Sequence, residues 1–387
     1  MNCRPPQRSS PASPDRRAPA GVQPRPRASR VGPATGRRVD RFRARGRPLA
    51  IALLSLAALF GAAPASAAPD ASADPRRVAL GERLFNDRAL SRDGKVSCAS
   101  CHDAKLAFTD GKAVSTGFEG KPGLRNAMSL LNVGGQPSFF WDGRRTRLED
   151  QVLDPLVNPI EHAFADPGQV LAVLRASPAY RAAFKKAYPA ARADPVQTQN
   201  LATALAAFVR TLKSPESAID RFLLRKDASA FSAEARAGFE VFSGKGQCVN
   251  CHSLKPDPTT GRVLLTDQAF HAHSAAFYGM HNALERSAQR ILSQGKPLSQ
   301  AALDDPRGTD VLGRFMVTGQ LSDVGAFRTP SLRNVARTGP YFHDGRVATL
   351  ELALEQELLG PGSDQLPLSP ADKRALLAFL RALDDDR

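Results

Sequence analysis

The chain has almost no acid in its first 67 residues, no apolar run long enough to span a membrane, few strand signals, and only five cysteines in 387 residues. Each shortage excludes something. Residues 1–67 hold 13 arginines against Asp15 and Asp40, so they carry 11 of the 15 surplus positive charges and the remaining 320 residues carry four. A body so mildly basic, with no patch mixing Lys/Arg with aromatic residues, argues against a nucleic-acid partner. The apolar run Leu49 to Ala62 is shorter than the about 20 residues of a transmembrane helix. It lies between an Arg-rich stretch, Arg37 to Arg47, and Ala65-Ser66-Ala67, which is the basic, apolar, small-residue order of a secretory signal. Cleavage there predicts export to the periplasm and no stable membrane span afterwards. The Pro/Arg/Ser-rich stretch ahead of Arg37 reads as disordered, and Cys3 falls in the discarded segment.

Where strand signals are missing, helical periodicity takes over. The pattern predicts helices over 75–86, 167–176, 178–187, 197–212, 232–243, 284–294, 349–358 and 370–383, hence an all-α fold. Leu201, Leu205, Phe208 and Leu212 recur at three- and four-residue spacing along one face. Ser369-Pro370 supplies an N-cap and a proline at the first position of the last helix. The loops between are long and rich in Gly, Pro and Asn, which fits a compact domain only if something other than side chains fills the core.

The chain also repeats itself. Ser129-Leu130-Leu131-Asn132-Val133 returns 202 residues later as Ser331-Leu332-Arg333-Asn334-Val335. Trp141-Asp142-Gly143-Arg144 returns as His343-Asp344-Gly345-Arg346, and Leu148-Glu149 as Leu350-Glu351, at the same offset. Two tandem copies of one domain follow, with the boundary near Ser214–Lys226.

Four cysteines remain after the signal: Cys98 and Cys101, then Cys248 and Cys251, each pair followed at once by a histidine, His102 or His252. Two disulfides would suit an exported chain, but the spacing points elsewhere. Thiols three apart can each add to one vinyl group of a haem, and the adjacent His then lies under the iron. A thioredoxin-like dithiol needs a βαβ setting that the helical pattern denies. A zinc site joining all four thiols would have to close over the 146 residues between Cys101 and Cys248. Two covalent haem c groups are the expectation.

The sequence resembles the bacterial dihaem cytochrome c peroxidases and the related MauG-type enzymes. The resemblance covers about 75–387 and is carried by Leu80-Gly81…Leu84-Phe85, Cys98–His102, Phe140-Trp141-Asp142-Gly143-Arg144, Asn158-Pro159-Ile160-Glu161, Cys248–His252 and Thr329-Pro330-Ser331-Leu332-Arg333-Asn334-Val335 through Pro340-Tyr341-Phe342-His343-Asp344-Gly345. It implies two tandem cytochrome c-like domains, each enclosing one haem: 68–222, where peroxide binds, and 223–387, where an electron is supplied or stored. By motif, Glu161 would move protons over the first haem, Gln151 would line its distal pocket, and Trp141 would sit between the haems. The resemblance also implies a calcium ion held by the Asn126 side chain and the carbonyls of Thr338 and Pro340, hard oxygen ligands that suit it.

Two departures bear on the irons. Many of these peroxidases close the resting first haem with a His from the loop after the first motif. Here that loop, Gly111 to Leu124, has no His, and Phe118 stands in its place. The sixth ligand of the second haem is Met or Tyr in the family; counting from His-Asp-Gly puts Glu357 there, and the repeat offset carries that position back to Pro155, which has no ligating side chain. The first iron is therefore expected to be open. For the second, Glu357 competes with Glu355, Met316, His281 and an open face. No role is assigned to the insertion around His273–Asp305.

The expectation is an enzyme that reduces hydrogen peroxide with electrons from a small c-type cytochrome or a cupredoxin. A MauG-like oxidase acting on a partner protein is the alternative, and a dihaem electron carrier is an alternative of another class. A homodimer is left open.

Overall fold

A computed structural model of the protein describes residues 74–272, 279–359 and 368–385; the expected signal lies outside them. The first half contributes α1 (Pro75–Asn86), α2 (Leu148–Gln151), α3 (Asp154–Val157), α4 (Pro167–Ala176), α5 (Pro178–Ala187) and α6 (Thr198–Thr211). The second contributes α7 (Ala218–Leu224), α8 (Ala233–Ser243), α9 (His281–Ser293), α10 (Leu298–Asp304), α11 (Pro306–Asp310), α12 (Phe315–Thr318), α13 (Leu350–Leu358) and α14 (Pro370–Arg381). Two short strands, β1 (Phe270–His271) and β2 (Phe327–Arg328), pair antiparallel, with Phe270 opposite Arg328. All eight expected helices are present within three residues at each end. The one- and two-turn helices escape a sequence reading because they are too short to show a period. Among the described residues no helix is long and apolar enough to cross a membrane.

Helix ends follow from local chemistry. Asp74 caps α1 by accepting the Arg76 amide at 2.9 Å, with Pro75 next in line. Ser369 and Asp372 form a reciprocal capping box at the start of α14.

The sequence repeat is a packing repeat. α1 crosses α6 at Gly81, where a methyl group would lie 2.0 Å from Ala204 O; α8 crosses α14 at Gly238, 1.9 Å from Ala375 O by the same measure. Only glycine permits backbones to approach that closely. Four residues along each helix the crossing is filled by a phenylalanine pair, Phe85 with Phe208 and Phe242 with Phe379, each at 5.1 Å between centroids. The loops repeat as well: Asn132 and Asn334 (φ 62° and 60°) and Phe140 and Phe342 (φ 67° in both) are left-handed. That conformation is uncommon for residues with a side chain and is held by its surroundings. Asn132 N donates to Leu212 O and Asn334 N to Leu383 O, tying each loop to the end of its own terminal helix.

Among the described residues three apolar clusters result. One gathers Leu80, Leu84 and Phe85 with residues from α4, α5 and α6. A second gathers Phe242, Leu350, Leu354, Leu376 and Phe379, and takes in Ile219 of α7. Beside Ile219, Asp220 pairs with Arg333 at 2.8 Å, so α7 packs with the second cluster although it starts ahead of residue 223. The third surrounds Trp141 with Leu284, Ala288, Leu312, Phe315, Val324 and Phe327. The described part of the insertion thus forms a wall on Trp141. Arg125 straps it down, bonding Asp142 at 2.7 Å and Asp310 at 2.5 Å, and Arg314 Nη1 donates to the carbonyls of Asp142 and Gly143 at 3.0 Å.

Candidate active site and haem-attachment centres

Both Cys-x-x-Cys-His segments fold as a single 3-10 turn, Cys98–Ser100 and Cys248–Asn250. Cys101 N donates to Cys98 O at 3.1 Å and His102 N at 3.0 Å; the second turn matches at 3.3 and 2.9 Å. The turn brings the two thiols of a pair together and sets the histidine directly after them.

Each histidine is oriented the same way. His102 Nδ1 lies 3.0 Å from Phe108 O, and His252 Nδ1 lies 2.8 Å from Leu265 O. A carbonyl can only accept, so Nδ1 carries the proton in both rings, and Nε2 is the nitrogen with a lone pair to give a metal. Burial pushes both imidazoles below their ordinary value, against the pull of those carbonyls, which keeps them neutral. The carbonyls are themselves braced: Ser129 Oγ donates to Ala107 O and Ser331 Oγ to Leu264 O, both at 2.6 Å. A ligand histidine fixed through its other nitrogen is the usual support of a metal site.

The thiols fit thioether attachment better than ionic chemistry. Burial pushes Cys98 up to about 12 and Cys248 up to about 11. Reactive and zinc-binding cysteines need the opposite shift. Uncharged sulfur suits these surroundings, and a cavity of about 620 Å³ opens beside Cys248, Cys251 and His252. It is walled by Phe242, Val335, Leu354, Leu358, Leu376 and Leu380. Cofactor pockets are of this size and character. Haem fits the residues present.

The first motif faces a carboxyl. Glu161 ends the 158–161 turn, where Asn158 Nδ2 donates to Glu161 Oε1 at 2.7 Å. Burial raises the carboxyl above its ordinary value and Asp154 adds to the shift, while Arg144 and the Asn158 bond oppose it. Glu161 in turn acts on the Cys98 and Cys101 thiols electrostatically, so it lies within range of the attachment turn. Phe118 is buried against the same segment: its N–H donates to Ile160 O at 2.8 Å and Glu161 O at 3.0 Å. A methyl at Gly117 would lie 2.0 Å from Ile160 O, so this loop has no room to stand off. Gln151 closes α2 and Pro155 lies in α3, both half-buried.

Trp141 is buried; its Nε1 donates to Asn126 O at 2.9 Å, and its own carbonyl accepts from Arg328 N at 2.8 Å. It lines the same cavity as His252. Asn126, Thr338 and Pro340 line that cavity too, and Asn126 N donates to His343 O. The Asn126 amide nitrogen faces two carbonyls, Lys112 O at 2.9 Å and Ala113 O at 3.3 Å, which leaves Oδ1 as the atom available to a cation.

Of the four candidate ligands for the second iron, Glu357 alone lines the cavity with His252. Glu355 points to solvent and pairs with Lys373 at 2.6 Å, Met316 packs in the Trp141 cluster, and His281 is exposed at the start of α9. Glu357 is exposed like Glu355, but its exposed surface borders the cavity, and desolvation there pushes its carboxyl up to about 7. Two residues of these sites carry no signal in a single sequence: Arg328 in the cavity wall, and His162, buried next to Glu161 with Nδ1 2.6 Å from Leu90 O; Arg144 belongs to the repeated block, but only the fold shows its guanidinium 3.4 Å from the Phe140 ring centroid.

Two attachment turns of one construction, one of them near a half-buried carboxyl, define the class as c-type dihaem redox proteins. A family model for di-haem cytochrome c peroxidase matches residues 75–229. The chain is 34% identical over 319 residues to the methylamine utilization protein MauG of Methylorubrum extorquens, covering 80% of this chain and 78% of that one. It is 32% identical over 355 residues to the cytochrome c551 peroxidase of Nitrosomonas europaea, covering 88% and 92%. A crystal structure of a MauG-like protein associated with microbial copper homeostasis superposes with a TM-score of 0.64 at 31% identity, covering 81% of this chain and 90% of that one. The chain belongs to the di-haem cytochrome c peroxidase and MauG family, and it is an oxidoreductase of the cytochrome c peroxidase type.

Proposed function

We propose that the protein reduces hydrogen peroxide to water at the haem of Cys98–His102, with electrons entering from a small c-type cytochrome or cupredoxin by way of the haem of Cys248–His252. The observation that carries this reading is Glu161: a half-buried residue whose carboxyl desolvation holds above its ordinary value, near the first attachment turn, beside a loop that has Phe118 and no histidine. Haem iron supplies a Lewis-acidic site for the peroxide oxygen and the redox equivalents for cleaving the O–O bond.

The chain's own residues supply the proton chemistry. Glu161 accepts the proton of the near oxygen and returns it to the far oxygen, which departs as water. Asn158 holds the Glu161 carboxyl in place through Oε1, and Gln151, by the family resemblance, would line the distal pocket of that site. Trp141, which lines the cavity of the second site, would serve as the route for electrons between the two sites. With haem bound at Cys248–His252, Glu357 would be the side chain available to ligate its iron, whereas Pro155, at the corresponding position of the first half, would offer none. Asn126, Thr338 and Pro340 hold a calcium ion. The domains meet ahead of α7, each enclosing one haem, and the signal delivers the protein to the periplasm.

The reading is tested by steady-state oxidation of a reduced small cytochrome with and without peroxide. Peroxide-dependent turnover that E161Q abolishes is the expected result; no turnover in the wild type would remove the proposal. A MauG-like oxidase acting on a partner protein is the second reading, favoured by one observation: the cavity offers a carboxylate at Glu357 rather than a thioether, and an oxygen ligand favours oxidised iron. A plain electron carrier needs protein ligands on both irons, against which Pro155 and Phe118 both speak.

A further inference from the structure

Arg328 sits in β2 with 3% of its surface exposed, and it lines the cavity shared by Cys248, Cys251 and His252. Its guanidinium donates only to neutral acceptors: Nε to Phe140 O at 3.3 Å, Nη1 to Gln136 Oε1 at 2.6 Å and Gln268 Oε1 at 3.1 Å, and Nη2 to Met128 Sδ at 3.5 Å. Among the described residues no carboxylate pairs with it. The contrast with the other deeply placed arginines is plain: Arg125 bridges Asp142 and Asp310, and Arg333 bridges Asp220 and Asp385. Burying a charge without a counter-ion is costly. Burial lowers this guanidinium to about 10, so it is still a cation at neutral pH, and a thioether sulfur to Met128 is a weak use of a guanidinium nitrogen.

We propose that Arg328 is the counter-ion of a propionate of the second haem. The inference rests on the reading that Cys248–His252 carries haem, whose porphyrin edge bears two carboxylates. The second haem is the one assigned because the cavity wall includes Cys248, Cys251 and His252 and none of Cys98, Cys101 and His102. A guanidinium is the side chain best shaped to hold a carboxylate through paired N–H groups. The pairing has a consequence for electron flow. Arg328 N donates to Trp141 O, and Trp141 borders the same cavity, so one residue ties the porphyrin edge to the backbone of the tryptophan. Arg328 is a positioning residue, and its fixed positive charge favours the reduced state of the second haem.

The test uses the holoprotein and R328Q, R328K and Q136A variants. Mass spectrometry first counts covalent haem; a wild-type chain without haem at Cys248 and Cys251 would end the underlying reading and says nothing against the Arg328 geometry. Spectroelectrochemical titration then reads each haem separately. R328Q is expected to lower the midpoint of the second haem, favouring its oxidised form by about tenfold, or about 59 mV for one electron, with the first haem unmoved. R328K restores most of the shift, and Q136A, which removes a hydrogen bond but no charge, stays near wild type. The proposal is overturned if R328Q leaves the second midpoint where it was, if the first haem moves instead, or if Q136A shifts as far as R328Q. An experimental structure of the wild-type holoprotein needs no variant: a propionate within hydrogen-bond distance of Arg328 supports the assignment, and one turned away from it overturns it.

Discussion

The two halves share a construction and differ at the positions that set reactivity. The same glycine crossing, phenylalanine pair, left-handed asparagine and histidine-to-carbonyl bond occur in both. At positions 202 apart the first half has Leu131, Trp141 and Pro155, and the second has Arg333, His343 and Glu357; where Ser214 N donates to Asn132 Oδ1, Asp385 N donates to Asn334 Oδ1. Trp141 is a member of the third apolar cluster, and His343 stacks on another member of it, Phe327, with centroids 3.8 Å apart. Glu161 has no acidic counterpart 202 residues on, where the sequence has Ser363. Duplication supplied a scaffold for two haems; on the proposed function, a few side chains assign them different work.

The largest expected effect breaks the comparison at the first site. E161Q keeps the shape and the Asn158 contact but removes the base, so peroxide turnover should fall at least about a hundredfold with haem content unchanged. Turnover near wild type would show that both halves lack a dedicated proton carrier.

The next test concerns a feature of the second half alone. Arg333 is buried between Asp220 at 2.8 Å and Asp385 at 2.9 Å. R333L restores the residue of the first half and leaves two carboxylates buried without their cation, a loss of about 3–5 kcal/mol. Denaturant unfolding measures it. The matched pair G81A and G238A should cost about 1–3 kcal/mol each through overpacking. Similar losses confirm that the crossings are equivalent; a loss in only one would separate them.

A smaller effect sharpens the difference between irons. E357M should raise the midpoint of the second haem, because a thioether favours ferrous iron; spectroelectrochemistry should find the first haem unmoved. Smaller still is a pH signature. Glu161 is held above its ordinary value by burial, and it must be ionised to accept a proton. Turnover should therefore decline as pH falls through a value above the free carboxyl's about 4.3, and E161Q should lack that acidic limb.

Much of this was legible in the sequence because the signals are local. A Cys-x-x-Cys-His motif is one turn, a helix start is one cap, and the 202-residue offset needs no structure to be seen. What stayed hidden is set by contacts distant in sequence. Whether Glu357, Glu355, Met316 or His281 faces His252 depends on how α13 lies against the cavity. The insertion has no meaning until its helices meet Trp141. Arg328 reads as one more arginine until its neighbours prove to be amides, a carbonyl and a thioether. The place of α7 depends on Asp220 finding Arg333, more than a hundred residues away.

The central claim is that the two irons are unequal, one open and one closed by the protein. Low-temperature EPR and absorbance spectra of the oxidised holoprotein, before and after peroxide, test it most directly. The account predicts one haem without a sixth protein ligand, whose spectrum peroxide changes at once and without prior reduction, and a second with a carboxylate opposite its histidine, altered in E357Q. A resting spectrum with the first haem six-coordinate between two histidines, or a protein that responds to peroxide only after reduction, would contradict it.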